Sequence, residues 1–353
     1  MRCRLAHNSF MANSSERRLP RLEDVAERAG VSHQTVSRVI NNHPNVSKST
    51  RARVEAAIAE LGYRRNTAAR SLVTRRSHTI GVLASELSQY GPANTLLGVE
   101  QAARDAGYFV SIAAIREVGA EAISDAARHF MDQGVDGIVA LVPHTGTLQA
   151  LEKLNLDVPV VVVGSSGEGR FSGAMVDQTM GARLAVGHLI EQGHQRIGHI
   201  SGPQDWIDGA ARADAWRAAL AEAGLADDLF VEGDWSAGSG YSIGQKLAVE
   251  RAATAVFVGN DQMALGLLRA FGEAGVRVPQ DVSVVGFDDQ PEAGYFTPPL
   301  TTVRQDFEEL GRSCVDLMLR LLEDGAAAGT TVVEPQMVVR KSTAPPSDAS
   351  VPA

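Results

Sequence analysis

An all-α head followed by an α/β body of two parallel-sheet lobes is the fold class this sequence predicts, on three observations. Apolar residues recur at helical spacing between Leu22 and Leu61, short β-branched runs alternate with helical stretches from Thr79 onward, and that alternation starts afresh near Arg196. With 353 residues, 44% of them apolar, the chain is long enough for a small domain and one or two larger ones, each with its own core. No run reaches the ~18 apolar residues of a membrane-spanning helix, and the arginine-bearing start lacks the apolar stretch of a secretory leader. Neither a membrane span nor export is expected, which places the protein in the cytoplasm. The only cysteines, Cys3 and Cys314, are too few for a disulfide framework.

The head explains itself helix by helix. Leu22, Val25, Ala26 and Ala29 fall on one face of a helix that stops at Gly30, a residue suited to a left-handed turn. Ser32 caps a second helix whose inward residues are Val36, Val39 and Ile40. Its other face carries His33, Gln34, Ser37, Arg38 and Asn41. Gln and Arg can each make paired hydrogen bonds to base edges in a major groove, and a short helix opening with such residues fits a recognition helix. Ser47 caps a third helix, Val54, Ile58 and Leu61 form its buried stripe, and Gly62 ends it. A generic three-helix core would share this pattern, but charge separates the two possibilities. The overall net charge is −9, yet residues 1–76 hold fifteen Lys and Arg against six Asp and Glu, and the remainder holds eighteen against thirty-six. A basic head attracts phosphate by releasing counterions, and an acidic body resists non-specific adhesion to it.

The body reads as βαβ units. Strands are expected at 80–83, 108–113, 137–142 and 158–163, and a second series at 196–201, 254–259 and 281–287. QAARDAGY (101–108) and RAALAEAGL (217–225) occupy matching places after the first strand of each series, a weak internal repeat that implies two similar lobes with a cleft between them. Ligands of such sheets bind beyond the carboxyl ends of the strands. There the sequence places acceptors, a donor and a flat ring: Asp288 after SVVGF, Asn260 after AVFVG, Arg212 beyond GHIS, and Trp235 in EGDWSAGSG. Singly, Trp235 fits a core, Arg212 and Asp288 fit surface charges, and Asn260 fits a helix cap; together they suit a sugar.

Val31 to Ser47 (VSHQTVSRVINNHPNVS) and Thr50 to Tyr63 (TRARVEAAIAELGY) closely resemble the LacI/GalR family of transcription regulators. The resemblance implies a helix-turn-helix head joined to a periplasmic-binding-protein-like core, with His33, Gln34 and Arg38 reading the major groove. Family members commonly carry tyrosine at the first of these positions, so His33 implies a different operator base. The basic stretch RRNTAARSLVTRRS cannot bury a core and is marginal as a lone helix. By the resemblance it folds on DNA as a hinge helix, with Leu72 wedged into the minor groove and Asn66 among the DNA-binding residues; a flexible basic linker is the alternative. The family's proline before the hinge is Arg65 here. EGDWSAGSG, NDQMALG, SVVGFDD and PPLTTVRQDF extend the likeness into the body and imply that Ser85, Arg212, Trp235, Asn260, Asp288, Gln305 and Phe307 contact an effector. The resemblance would place an asparagine after the third strand and an aspartate after the fourth; Leu141 and Gly164 stand there, so two polar sugar contacts are missing.

The expected organisation is a disordered extension over 1–19, a helix-turn-helix domain over 20–64, a hinge over 65–77, a two-lobed effector-binding and dimerisation domain over 78–343, and a disordered tail over 344–353. Because that tail lacks the leucine heptads of tetrameric members, a homodimer on a palindromic operator is expected, with double-stranded DNA and a small sugar as partners. No cofactor or metal is expected: His188, His194 and His199 have no metal-ligand spacing, and GEG at 167–169 is not a dinucleotide fingerprint. Asp288 and Asp289 are adjacent and not facing, and no nucleophile motif occurs, which disfavours an enzyme. A transport sugar-binding protein would have no use for the basic head.

Overall fold

The computed structural model describes residues 20–63, 76–116, 119–141, 143–164, 170–325 and 329–347. Expectations that rest on Cys3, Arg65, Asn66, Leu72 or residues 167–169 lie outside the described residues. The chain divides into two compact units, with the boundary after Arg75.

The first unit contains α1 (Leu22–Ala29), α2 (His33–Ile40) and α3 (Lys48–Leu61). Each start and stop has a local cause. Asp24 accepts from the Arg21 backbone N–H at 2.6 Å, Ser32 Oγ accepts from the Thr35 N–H at 3.3 Å, and Ser47 Oγ accepts from the Thr50 N–H at 3.2 Å. Gly30 and Gly62 end α1 and α3 with φ of +62°, which costs glycine nothing. Val25, Ala26, Ala29, Val36, Val39, Val54 and Ala57 form the core. The stripe of α3 is shifted from the expected one. Ala57 is fully buried while Ile58 and Leu61 are half-buried, because α1 packs on α3 and a small side chain permits the close approach.

The second unit holds two lobes. Lobe one contains β1 (Thr79–Ser85), α4 (Tyr90–Asp105), β2 (Phe109–Ile115), α5 (Ala120–Gln133), β3 (Gly137–Leu141), α6 (Thr145–Glu152), β4 (Val160–Val163) and β5 (Ser172–Val176). Lobe two follows with α7 (Gln178–Glu191), β6 (Ile197–Ser201), α8 (Ile207–Glu222), β7 (Phe230–Glu232), α9 (Ala237–Glu250), β8 (Ala255–Val258), α10 (Asp261–Glu273), β9 (Ser283–Val285) and β10 (Thr302–Arg304). The chain then returns to lobe one for α11 (Phe307–Asp324) and β11 (Thr330–Val333), and crosses back for β12 (Gln336–Val338). The larger sheet is parallel in the order β11-β5-β4-β3-β1-β2, the smaller is parallel in the order β7-β6-β8-β9, and β10 pairs antiparallel with β12.

Both sheets are covered on two faces, which is why their strands are continuous apolar runs. Val99, Leu310, Cys314, Leu317 and Met318 of α4 and α11 cover one face of the larger sheet, and Ile123, Phe130 and Leu151 of α5 and α6 cover the other. In lobe two, Ala185, Leu189, Trp216 and Leu220 of α7 and α8 pack on one face and Ile243, Met263 and Leu267 of α9 and α10 on the other. The lobes are therefore joined by three crossings, at 176–178, 304–307 and 333–336.

Two expected boundaries move. The Ser77 and His78 N–H groups donate to Asp136 at 2.7 and 2.9 Å, so the body begins before 78. At the other end the tail was expected to start at 344, but the described chain runs to 347 and Ala344 is fastened to lobe two. Its carbonyl lies 3.0 Å from Ser283 Oγ and 2.9 Å from His194 Nε2, and its N–H donates to Ser283 Oγ. These are backbone bonds that composition cannot reveal.

Candidate DNA-reading helix and effector cleft

On α2, Val36 and Val39 face the core, and His33, Gln34, Arg38 and Asn41 are exposed on the opposite side, with Ser37 half-buried between them. Gln34 and Arg38 are four residues apart and share a face. Asn41 donates to Ser37 Oγ at 3.4 Å. The sequence reading missed Arg51 of α3, which donates to the Val39 carbonyl at 3.3 Å, Asn42 Oδ1 at 3.0 Å and the His43 carbonyl at 3.1 Å. It holds the C-terminus of α2, with charge of the sign that terminus favours.

A cleft separates the lobes. Gln89 and Tyr90 at the start of α4, with Leu141, Val163 and Gly164, line it from lobe one; Trp206, Asp208, Arg212, Trp235, Asn260 and Asp288 line it from lobe two. Gln178 and Gln305 come from two of the crossings, and Phe307 follows the second. Six of the seven expected effector residues are thus gathered in one place.

Ser85 is the exception. It ends β1 with 2% of its surface exposed, lies outside the cleft lining and has a hydroxyl without a partner among the described residues. The chain turns at Glu86 with φ of +55°, so the start of α4 supplies the lobe-one wall.

The polar centre is a buried relay. Arg212 Nε donates to Gln178 Oε1 at 2.9 Å, Gln178 Nε2 donates to Gln305 Oε1 at 2.9 Å, and Gln305 Nε2 donates to Asp288 Oδ1 at 2.7 Å. Arg212 also donates to the Gly259 carbonyl and lies 3.8 Å over the Phe287 ring. Burial pushes the Asp288 carboxyl up to about 6, against the opposing pull of Arg212 and of the Gln305 hydrogen bond. Burial likewise lowers the Arg212 pKa, opposed by Asp288, and raises that of Asp261, which accepts from Thr302 at 2.6 Å. Tyr90 is raised by burial and then by the charge of Asp288 across the cleft.

The remaining expected residues are fixed by packing. Trp235 has φ of +70°, and its indole fills a slot made by Gly202, Gly209 and Gly259. Asn260 combines two roles: its Oδ1 caps α10 by accepting from Met263, and its Nδ2 donates to the Trp235 carbonyl at 3.1 Å. Trp235 is therefore both core and cleft wall, and Asn260 positions it. Phe307 meets Tyr90 edge to face at 5.8 Å. Behind the cleft, Asp289, at φ of +51°, pairs with Arg304 at 2.6 Å and Arg340 at 2.5 Å.

A second inter-lobe contact was not legible in the sequence. The Ile207 N–H donates to the Pro143 carbonyl at 2.8 Å, and His144 stands 3.2 Å from Asp205 and 3.8 Å from Glu86 while meeting Trp206 edge to face. The three histidines considered as metal ligands, His188, His194 and His199, are instead held by packing and hydrogen bonds. His199 stacks on Phe257 and is pushed down to about 3 by burial, His194 bonds Thr254, and His188 bonds Thr343. No metal-ligating cluster occurs among the described residues, nor is any described helix long and apolar enough to cross a membrane.

A three-helix unit with an exposed polar face on its second helix, on a chain that also holds a two-lobed unit with a cleft, fits the class of ligand-responsive DNA-binding regulators. Residues 21–66 match the model of bacterial regulatory proteins of the lacI family, and 186–343 match a periplasmic binding protein-like domain. The lactose operon repressor of Escherichia coli (strain K12) is 37% identical over 328 residues, 92% of this chain and 91% of that protein. A crystal structure of the lac repressor dimer bound to operator and the anti-inducer ONPF superposes with a TM-score of 0.84 at 36% identity, covering 93% of this chain and all of that one. A complex of the transcriptional regulator CelR with cellobiose does so with a TM-score of 0.69 at 34% identity, covering 92% and 99%. The chain belongs to the LacI family: it is a DNA-binding transcriptional repressor and not an enzyme.

Proposed function

We propose that the protein is a cytoplasmic homodimer that holds a palindromic operator until a small, galactoside-like sugar enters the cleft. The relay Arg212–Gln178–Gln305–Asp288 carries this reading, because it joins groups that would grip a ligand to two of the three crossings between the lobes. A sugar that bridges the lobes changes their closure only to the extent that it binds one arrangement more tightly than the other. The altered lobe spacing then lowers operator affinity.

A second copy is supported by Leu97, Phe109 and Ile112, which are 65%, 65% and 50% exposed on α4 and on β2, the edge strand of the larger sheet. Large apolar side chains on an unpaired edge are costly unless covered. The solved relatives described as an operator-bound dimer and as a cellobiose complex support the same architecture. Leu141 and Gly164 favour a second reading within the class, in which the sugar is not a galactoside.

The test is fluorescence anisotropy of the full chain on a labelled palindrome from its own upstream DNA, with galactosides and other sugars added in turn. Tight, salt-sensitive binding released by one sugar is expected. Tight binding that no sugar weakens removes the sugar reading, and failure to bind any such site removes the operator reading.

A further inference from the structure

The relay leaves one acidic group of the cleft unused. Asp208 stands in the first turn of α8, and its side chain retains 34% of its exposure within the cleft lining. It faces the other lobe: Oδ1 comes within 3.9 Å of where a Cβ on Gly164 would stand. Among the described residues its nearest cation is Nη2 of Arg212, also at 3.9 Å, beyond hydrogen-bond distance. Nη2 gives no hydrogen bond to the described residues beyond this loose ion pair, whereas Nε is given to Gln178 and Nη1 to Gly259. A carboxylate and a free N–H edge thus face each other across a gap that one hydroxyl can bridge, donating to the first and accepting from the second.

We propose that Asp208, with the free edge of Arg212, reads one hydroxyl of an uncharged sugar and so sets which sugar the cleft accepts. The inference rests on the sugar reading of the effector and deepens it. Charge narrows the class further. Among the described lining residues the carboxylates Asp208 and Asp288 face a single guanidinium, so a sugar phosphate meets net repulsion in a partly desolvated site.

The experiment uses the full chain, with quenching of Trp206 and Trp235 fluorescence as the binding signal. The probes are D-galactose, D-glucose, methyl β-D-galactoside, cellobiose and glucose 6-phosphate, followed by the monodeoxy forms of whichever sugar binds best. Asp208→Asn and Asp208→Ser are compared with wild type, and operator binding of each variant reports an intact fold. The best sugar should bind both variants about tenfold or more weakly, the loss of one charge-assisted hydrogen bond. One monodeoxy form that binds wild type about tenfold worse than its parent should bind Asp208→Asn as well as its parent does. Unchanged affinity for the parent sugar, or an unchanged set of deoxy penalties, overturns the assignment. Wild type binding glucose 6-phosphate as tightly as glucose overturns the charge argument. If wild type binds no sugar of the panel while holding its operator, the sugar reading falls and the role of Asp208 falls with it.

Discussion

Asp288 concentrates the tension between stability and function in one side chain. It is buried, its backbone lies at φ of +108°, and its carboxyl sits at about 6 against an ordinary value of 3.8. An acid raised in this way contributes stability fully only below about 3.8, and that contribution is lost as pH rises through about 6. At pH 7.5 the buried charge therefore costs on the order of 2 to 3 kcal/mol, which an amide would not. Asp288→Asn, which still accepts from Gln305 and tolerates positive φ, is expected to raise the melting temperature by a few degrees at pH 7.5 and to leave it unchanged at pH 4. The same variant should lose sugar-induced operator release. Thermal denaturation at the two pH values checks the first outcome, and an advantage equal at both would contradict it.

At the scale of elements, two helices carry opposite kinds of expectation. The exposed face of α2 contributes nothing to the core; on the proposed reading, Arg38→Ala should weaken operator binding by roughly ten- to a hundredfold, as loss of a good paired base contact does. Its melting temperature and sugar affinity should match wild type; anisotropy and calorimetry together decide. The crossing of α4 with α11 depends on packing instead. A Cβ on Gly311 would collide with the backbone of Gly98, and one on Gly98 would stand 2.6 Å from the Phe307 carbonyl. Gly311→Ala must push the helices apart at a cost of about 1–3 kcal/mol, and it shifts Phe307 and Tyr90 with them. Lower thermal stability together with weaker sugar binding is the expected pair of results. Stability within a degree of wild type would show that the crossing tolerates a methyl group.

For the whole molecule, the decisive feature is that three crossings join the lobes and buried side chains bind two of those crossings together. Gln178 and Gln305 stand at the first and second crossing. Gln305→Ala breaks the relay without touching the DNA-reading face. The variant should bind operator as wild type does when no sugar is present, with the same salt dependence, because the basic head is unaltered. The ratio of operator affinities without and with saturating sugar should fall by about five- to tenfold, a coupling change on the order of 1 kcal/mol. An unchanged ratio would mean that the relay orders the cleft without coupling it to the lobes.

The sequence by itself determined what arises within a few residues. The caps Ser32 and Ser47, the stops Gly30 and Gly62, the exposed face of α2 and the longer strands are set by side chains bonding or packing within one or two turns, or by unbroken β-branched runs. Five strands escaped: β7, β10 and β12 have three residues each and, unlike β9, lack a longer apolar run around them, while β5, reading SGAMV, is held in the sheet by its neighbours and not by its composition, and β11 is held there by β5. Candidate cleft residues were legible singly, as chemistry at strand ends, and through the resemblance. Their connections were not. Gln178 and Gln305 are 127 residues apart, Gln178 and Arg212 are 34 apart, and Asp208 gains its meaning from facing Gly164. The burial of Ser85 and the fastening of Ala344 to His194 and Ser283 belong to the same class. Tertiary structure alone decided these, because the charge and exposure of a side chain depend on which distant segments enclose it, and sequence spacing carries no record of that enclosure.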